Sequence, residues 1–250
     1  VQRGSRNFIP MASKDDLVKG VNDYFSGSYT ITQGTVVPDV ENIQLGKNGR
    51  ELDLAMLFID IRESTKIVDG FRRVTAARMY KSFLWGIAQI ARTNNGELRS
   101  FNGDGVLVAF VGEYKCTNAV KAALQMSWFC KNVLKPKIES YFATNSQLSA
   151  LDFDFGIGID VGKVLVVRGG IKGENNNDLV WVGNATNFAV KLSHIGEGYN
   201  IYISEDVYKK MNDTTKYTSG QTKENIWELR FWTSMNKMRV YRSNGIWTPK

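Results

Sequence analysis

The sequence predicts an α+β fold: a sheet with helices on one face, in ferredoxin-like βαββαβ order, with further helices and strands after it. Three observations carry this. "LDLAMLFIDI" is too apolar for a half-exposed strand and fits a buried one. "GELRSFNGDGVLVAFVG" reads as two strands about a tight turn, with Asn102, Gly103 and Gly105 as turn residues. Helical periodicity in "RRVTAARMYKSFLWGIAQIARTNN" and in "CTNAVKAALQMSWFCKNVLKPKIESYF" places helices around that hairpin, the second interrupted or ended near Pro136.

The remaining elements follow in order. "SKDDLVKGVNDYFSGS" is an amphipathic helix with Ser13 as cap, Asp15 and Asp16 in its first turn and Gly27 at its end. "TITQGTVVPDVENIQLGKNGRE" is rich in turn residues and predicts irregular chain. "DFDFGIGIDVGKVLVV" reads as a strand pair through Gly162, and "LVWVGNATNFAVKLSHI" as a short strand running into a helix. "YNIYIS" is a strand, "EDVYKKM" a short helix, and "IWELRFW" and "KMRVYRS" are terminal strands. No internal repeat or low-complexity linker divides the chain. One domain over 51–250 is expected, behind an N-terminal helical extension over 1–50.

Composition narrows the function classes. The 250 residues suffice for one large domain. No run approaches the roughly 20 apolar residues of a membrane span, and the N-terminus has no basic-then-apolar signal pattern, so no membrane is expected. Cys116 and Cys130 offer neither a disulfide framework nor a metal-ligand spacing, which points to a reducing, cytoplasmic setting. The net charge of +7 favours anionic partners. No recognition-helix, zinc or aromatic-interleaved basic pattern supports nucleic acid as one of them.

The chemistry begins at Asp60, where the apolar run of "LAMLFIDIRESTKIV" turns polar. One carboxylate there is either a helix cap or a ligand. A second, Asp104, lies at the turn of "SFNGDGVLVAF". If the two strands are neighbours, both carboxylates reach one edge, where they repel unless a cation sits between them. Oxygen-only ligation suits Mg²⁺ or Mn²⁺ completed by water and phosphates, and Gly103 and Gly105 let a polyphosphate approach the backbone. Taken singly, Asp104 is an ordinary turn residue and Asp60 an ordinary cap. Ser64 and Thr65 would open the next helix, holding phosphate oxygens at its positive end or simply capping it.

At these residues the chain resembles the class III nucleotidyl cyclases. "FIDIREST" is similar to that family's first metal motif and "NGDGVLVAF" to its second. "DFGIGIDVGKVLV" resembles its Gly-Ile-x-x-Gly strand pair, and "VWVGNATNFAVKL" its transition-state Asn segment. The resemblance spans about residues 50–242 and implies a class III cyclase core. It also implies attack of a ribose 3′-hydroxyl on the α-phosphate, giving a cyclic nucleotide and pyrophosphate. Asp60 and Asp104 match the metal aspartates, with the carbonyl of Ile61 as a further ligand and two divalent ions per site. Asn187 matches the ribose-orienting Asn, although "GNATN" also permits a helix cap. Lys191 stands where the family usually has an Arg; it keeps the charge but loses the planar fork, or simply faces solvent. Arg230 falls where a basic residue meets the triphosphate, with Arg168 and Lys163 as further basic candidates.

The base-reading positions depart from both purine patterns. The adenylyl and guanylyl enzymes place a Lys or Glu where this chain has Ser100, and an Asp, Thr or Cys where it has Val180. Ser100 is short, and Val180 offers no hydrogen bond. A smaller pyrimidine would need a longer side chain to reach it, from Arg99, Asn102 or Trp181. Arg99 should face away from Ser100 unless a bulge re-aims it. The combination resembles the bacterial pyrimidine cyclases of anti-phage defence, which make cUMP or cCMP for a downstream cyclic-nucleotide-sensing effector. That implies UTP, or CTP, as substrate. The resemblance also implies a homodimer with composite active sites, the metal half and the Asn187, Lys191 and Arg230 half coming from different protomers. An adenylyl cyclase with a degenerate purine pocket, or a catalytically weak nucleotide-binding regulatory module, are the alternatives. His194, the one histidine, has no histidine or cysteine partner and reads as structural.

Overall fold

The computed structural model describes residues 13–143, 153–170 and 177–249. Helix α1 (Lys14–Phe25) starts at a capping box in which Ser13 and Asp16 bond reciprocally. Strand β1 (Thr30–Gln33) leads through a 3₁₀ turn at Val40–Asn42 into β2 (Asn48–Ile61). Helices α2 (Ser64–Gly70) and α3 (Arg73–Thr93) precede the hairpin β3 (Glu97–Asn102) and β4 (Gly105–Phe110). Then come α4 (Lys115–Phe129), α5 (Lys135–Ala143), β5 (Phe155–Gly170), β6 (Asn177–Val182) and α6 (Asn184–Ser193). Strand β7 (Ile201–Ser204), α7 (Glu205–Lys210), β8 (Glu228–Trp232) and β9 (Met238–Ser243) complete the chain.

The described strands form one nine-stranded sheet in the order β3-β4-β2-β5-β7-β9-β8. Its β2-α-β3-β4-α-β5 portion is the expected α+β ferredoxin-like core. Strand β2 is central: β4 pairs antiparallel with Ala55–Ile59 on one edge, and β5 pairs with Gly49–Ile61 along the other. Apolar residues therefore face both ways along β2. Ala55, Leu57, Ile59 and Ile61 pack with Phe83 and Ile87 of α3 and Ala119 and Ala123 of α4. Leu54, Met56 and Phe58 pack with Leu107, Val164, Val166, Ala185 and Ala189 on the other side.

That second layer corrects the expectation of helices on one face only. α6 covers the face opposite α3 and α4, and this double cover is why the β2 run is continuously apolar. Two further expectations change. Thr30–Gln33 is not irregular: it pairs in parallel with Asn48–Glu51, because β4 stops at Ala55 and leaves that edge of β2 free. The stretch through Gly162 is one strand, not two. β2 pairs with β5 without a break across Gly162, which lies opposite Leu54 and beneath Ala185. Of the two outcomes expected near Pro136, the helix is interrupted and not ended. A π turn at Cys130–Leu134, in which the Lys135 N–H donates to the Cys130 carbonyl, carries the chain into α5 with Pro136 in its first turn.

α6 sits unusually close to β5. A Cβ on Gly156 would overlap the Ser193 carbonyl, and one on Gly158 the Ala189 carbonyl. These two glycines let helix backbone rest directly on strand backbone. Gly158→Ala should therefore lift α6 and lower unfolding stability by about 1–3 kcal/mol, an overpacking cost, as read by urea denaturation. Gly103→Ala, with open space around its Cβ, provides a comparison limited to the local cost of a positive φ.

Candidate active site

The β2–β4 register builds the site. Ile59 lies opposite Val106, so the next pair along the ladder is Asp60 with Gly105, the residue after Asp104. Side-chain alternation places Asp60 on the α6 face together with Phe58. A Cβ on Gly105 would collide with the Phe58 ring and approach Asp60 Oδ1 to 3.2 Å. Glycine here lets the Phe58 ring and the Asp60 carboxylate lie directly against the β4 backbone.

Asp60 is only 19% exposed and its Oδ1 is buried with no hydrogen-bond partner. Its other oxygen lies 3.2 Å from His194 Nε2. Burial, and then the charge of Asp104, raise its pKa above the ordinary 3.8 despite the opposing pull of His194. Tyr80 reports the same field: burial and then the Asp104 and Asp60 charges raise its phenol, whose hydroxyl lies 3.4 Å from the Ser64 carbonyl. The carboxylates thus share a negative field that the described side chains leave largely uncompensated.

These residues fit a divalent cation. An unpartnered buried oxygen beside a like-charged neighbour is an arrangement that a bound hard cation would relieve. No trio of His, Cys, Asp or Glu among the described residues is grouped closely enough to hold a cation alone. The donors that would hold such a cation are Asp60 and Asp104, with the carbonyl of Ile61 at the buried end of β2, and water and phosphate would complete its shell.

The helix-cap reading of Asp60 does not hold, because Glu63 occupies that position in a left-handed conformation (φ 53°). Ser64 and Thr65 do open α2, and no side chain caps it. Asn187 is not a cap either: Gly183 takes that place, and Asn187 lies one turn into α6 with its N–H toward the Gly183 carbonyl. Asn187 and Lys191 are exposed and four residues apart on one helix, so they share a face. Lys191 Nζ lies 5.8 Å from the centre of the Phe188 ring. Arg230 is half-exposed on β8, with its Nε 3.4 Å from Glu197. Seven residues of α6, about 10 Å at 1.5 Å per residue, separate Asn187 from the His194 that touches Asp60. A single protomer therefore brings Asp60 and Asp104 together but not Asn187.

The base-reading candidates divide in the same way. The β3–β4 pairing slips between Leu98 and Ser100, so Arg99 is the extra residue of a bulge. The bulge does re-aim it, but its guanidinium is engaged by the Pro38 carbonyl at 3.2 Å and Glu97 at 3.0 Å. Ser100 pairs with Leu107 and is half-buried on the α6 face. Trp181 packs against that same layer, its indole N–H buried and unpartnered, while Val180 is exposed on the opposite side of β6. The Asn102 side chain lies outside the described residues. Lys163 is tied to Glu51, and Arg168 reaches toward the Ile43 carbonyl. Sequence reasoning missed two residues of the site, His194 and Tyr80. Neither carries a motif, and only the folded register brings them to Asp60.

Comparison with known proteins agrees with this geometry. The model of the adenylate and guanylate cyclase catalytic domain matches residues 48–242. The chain is 34% identical over 238 residues to a uridylate cyclase of Xanthomonas perforans, covering 95% of this chain and 99% of that one. It is 33% identical over 240 residues to a uridylate cyclase of Burkholderia cepacia, covering 95% and 100%. The solved adenylyl cyclase CyaB from P. aeruginosa superposes with a TM-score of 0.60 at 20% identity, covering 78% of this chain and 95% of that one. No described helix is long and apolar enough to cross a membrane.

The charge on Asp60 has a measurable cost. Its acidity is weakened on folding, so the ionised form destabilises the fold at neutral pH, and this cost fades as pH falls toward the unfolded value of 3.8. Asp60→Asn should raise the melting temperature in EDTA at pH 7, because it removes the charge that folding disfavours. The gain should shrink toward pH 4. Added Mn²⁺ should stabilise the parent chain and not the variant, as followed by differential scanning calorimetry.

Proposed function

Because the chain belongs to the adenylate and guanylate cyclase catalytic domain family and is a nucleotidyl cyclase, we propose that its substrate is a pyrimidine nucleoside triphosphate, UTP before CTP. The reaction is attack of the ribose 3′-hydroxyl on the α-phosphate with cleavage of the α–β anhydride bond. The products are a 3′,5′-cyclic nucleotide and pyrophosphate. The observation that carries the chemistry is the buried, unpartnered Oδ1 of Asp60 within the field of Asp104. The base assignment is supported by relatives named uridylate cyclase that align over nearly the whole chain, and by the absence of both purine-reading patterns at Ser100 and Val180.

Asp60, Asp104 and the Ile61 carbonyl would hold two Mg²⁺ or Mn²⁺ ions. Such ions, when bound, supply acidification of the 3′-hydroxyl and neutralisation of the departing pyrophosphate. The uncapped first turn of α2 offers N–H groups, with Ser64 and Thr65, to phosphate oxygens. Asn187 orients the ribose, Lys191 balances charge developing on the α-phosphate, and Arg230 meets the triphosphate once it exchanges its Glu197 contact. Ser100 and Trp181 line the base side on the α6 face. Arg99 acts there indirectly, by fixing the wall formed by Pro38.

Asn187 and Lys191 point away from their own Asp60, which supports a homodimer in which each site takes its metal carboxylates from one protomer and these residues from the other. Val180 and Val182, 47% and 52% exposed on one side of β6, form an apolar strip that the protomer leaves uncovered and a partner could cover. The biological setting that suits a pyrimidine cyclase of this kind is anti-phage defence, its product read by a cyclic-nucleotide-sensing effector in the cytoplasm.

The test is incubation with each of the four ribonucleoside triphosphates and Mn²⁺, with products identified by mass. Cyclic UMP, or cyclic CMP, should dominate. Asp60→Ala and Asp104→Ala should each lower kcat by at least about 10²-fold, a loss of about 2.7 kcal/mol in the transition state. Dominant turnover of ATP rejects the base assignment, and absence of pyrophosphate with every substrate favours a regulatory module.

A further inference from the structure

Either carboxylate oxygen of Asp60 could ligate a cation, and something must select one. His194 is placed to do so. Its Nε2 lies 3.2 Å from Oδ2, while Oδ1 is the buried oxygen that no side chain engages. With its proton on Nε2 the imidazole donates to Oδ2, fixing the carboxylate rotation and leaving Oδ1 as the oxygen without a protein partner, free to ligate a cation.

The imidazole is itself held. His194 is the C-cap of α6, and its N–H donates to the Lys191 carbonyl at 3.3 Å. The helix beneath it cannot drift, because Gly156 and Gly158 seat its last turn directly on β5. The Phe58 ring, centred 6.3 Å from the imidazole and tilted against it, walls the same pocket. His194 nevertheless remains 55% exposed, so it contributes little to the core.

We infer that His194 is a positioning residue for the metal carboxylate Asp60, and that through it the seating of α6 sets the geometry of the cation site. The inference rests on the metal-dependent reading above. It has a consequence for the dimer. The same ten-residue helix carries Asn187 and Lys191, assigned above to the other composite site. One rigid element thus contacts both sites, and the state of one reaches the other through His194.

The decisive measurement is Mn²⁺ binding to the full chain without nucleotide, titrated by electron paramagnetic resonance, which requires no turnover. The chain and its Asp60→Asn, His194→Ala and His194→Gln variants are compared. His194→Ala should weaken Mn²⁺ binding by about 10-fold or more, the usual loss on removing an outer-shell partner. It should lower kcat while leaving the nucleotide KM near that of the parent. His194→Gln, which keeps a donor, should recover part of both losses. An unaltered Mn²⁺ affinity in His194→Ala overturns the inference, as does a glutamine variant no better than alanine. Nitrogen hyperfine coupling from the imidazole also overturns it, since His194 would then be a ligand itself. Should His194→Ala not fold, the glutamine variant against the parent decides: near-parent affinity supports the role, and alanine-scale loss rejects it. If the parent binds no better than Asp60→Asn, the metal reading itself fails. If the parent binds, Asp60→Asn does not, and His194→Ala equals the parent, the failure belongs to His194 alone.

Discussion

With Ile59 opposite Val106, the β2–β4 ladder sets Asp60 beside Gly105 and within the field of Asp104. Slippage by one residue would turn Asp60 to the opposite face, toward the helices α3 and α4. Two devices hold the register. Phe58, Met56 and Leu54 are buried on the α6 face, so any slip would drive three large side chains through the sheet. β5 pairs with β2 along thirteen consecutive positions, from Gly49 to Ile61, and fixes the other edge. The carboxylate pair is therefore a consequence of hydrophobic patterning: the strand core decides where the charges lie.

The same core tolerates an electrostatically unfavourable arrangement. A half-buried carboxylate with an unpartnered oxygen and a like-charged neighbour opposes folding. Other buried carboxylates among the described residues have partners: Asp160, also raised by burial, is hydrogen-bonded by Ser204. Asp154, also partly buried, is engaged by Arg62 at 2.8 Å and Asn200 at 2.8 Å, and although burial raises its pKa, those partners bring it below the ordinary carboxylate range. Arg242 spans Glu228 and Glu197 beside the Tyr199 ring. The contrast singles out Asp60 as a charge kept available, the sort of local inconsistency expected where function overrides stability.

Much of this was legible in the residues because the relevant signals are local. The apolar run to Asp60, the Gly103–Gly105 turn and the periodicity of α3 and α4 depend on neighbours within a few positions. What escaped depends on distant partners. Thr30–Gln33 has no strand signal of its own and becomes one because β2 offers an open edge. Gly162 reads as a break, yet it and Gly156 and Gly158 are where α6 comes close to the strand. Gly162 lies in an unbroken strand, and Gly156 and Gly158 earlier in that strand are the reason a second helical layer fits. His194, lacking any motif, reaches Asp60 across 134 residues of chain. Arg99 shows the intermediate case: a bulge is conceivable from sequence, but its carbonyl and carboxylate partners at Pro38 and Glu97 are not.

α6 resolves an apparent conflict between packing and chemistry. A helix on a sheet must bury one face, and here Ala185, Ala189 and Leu192 do so. Helical geometry then forces Asn187 and Lys191 outward, away from the layer they rest on. The end of the helix, by contrast, falls at the end of β2, because Gly156 lies opposite Asp60 and beneath Ser193. No rotation of α6 could turn Asn187 inward without exposing its alanines and burying an amide. The arrangement therefore gives one helix two outlets, an exposed polar side and a terminus pinned to a carboxylate. A site requiring both kinds of group is completed most economically by a second copy of the same surface.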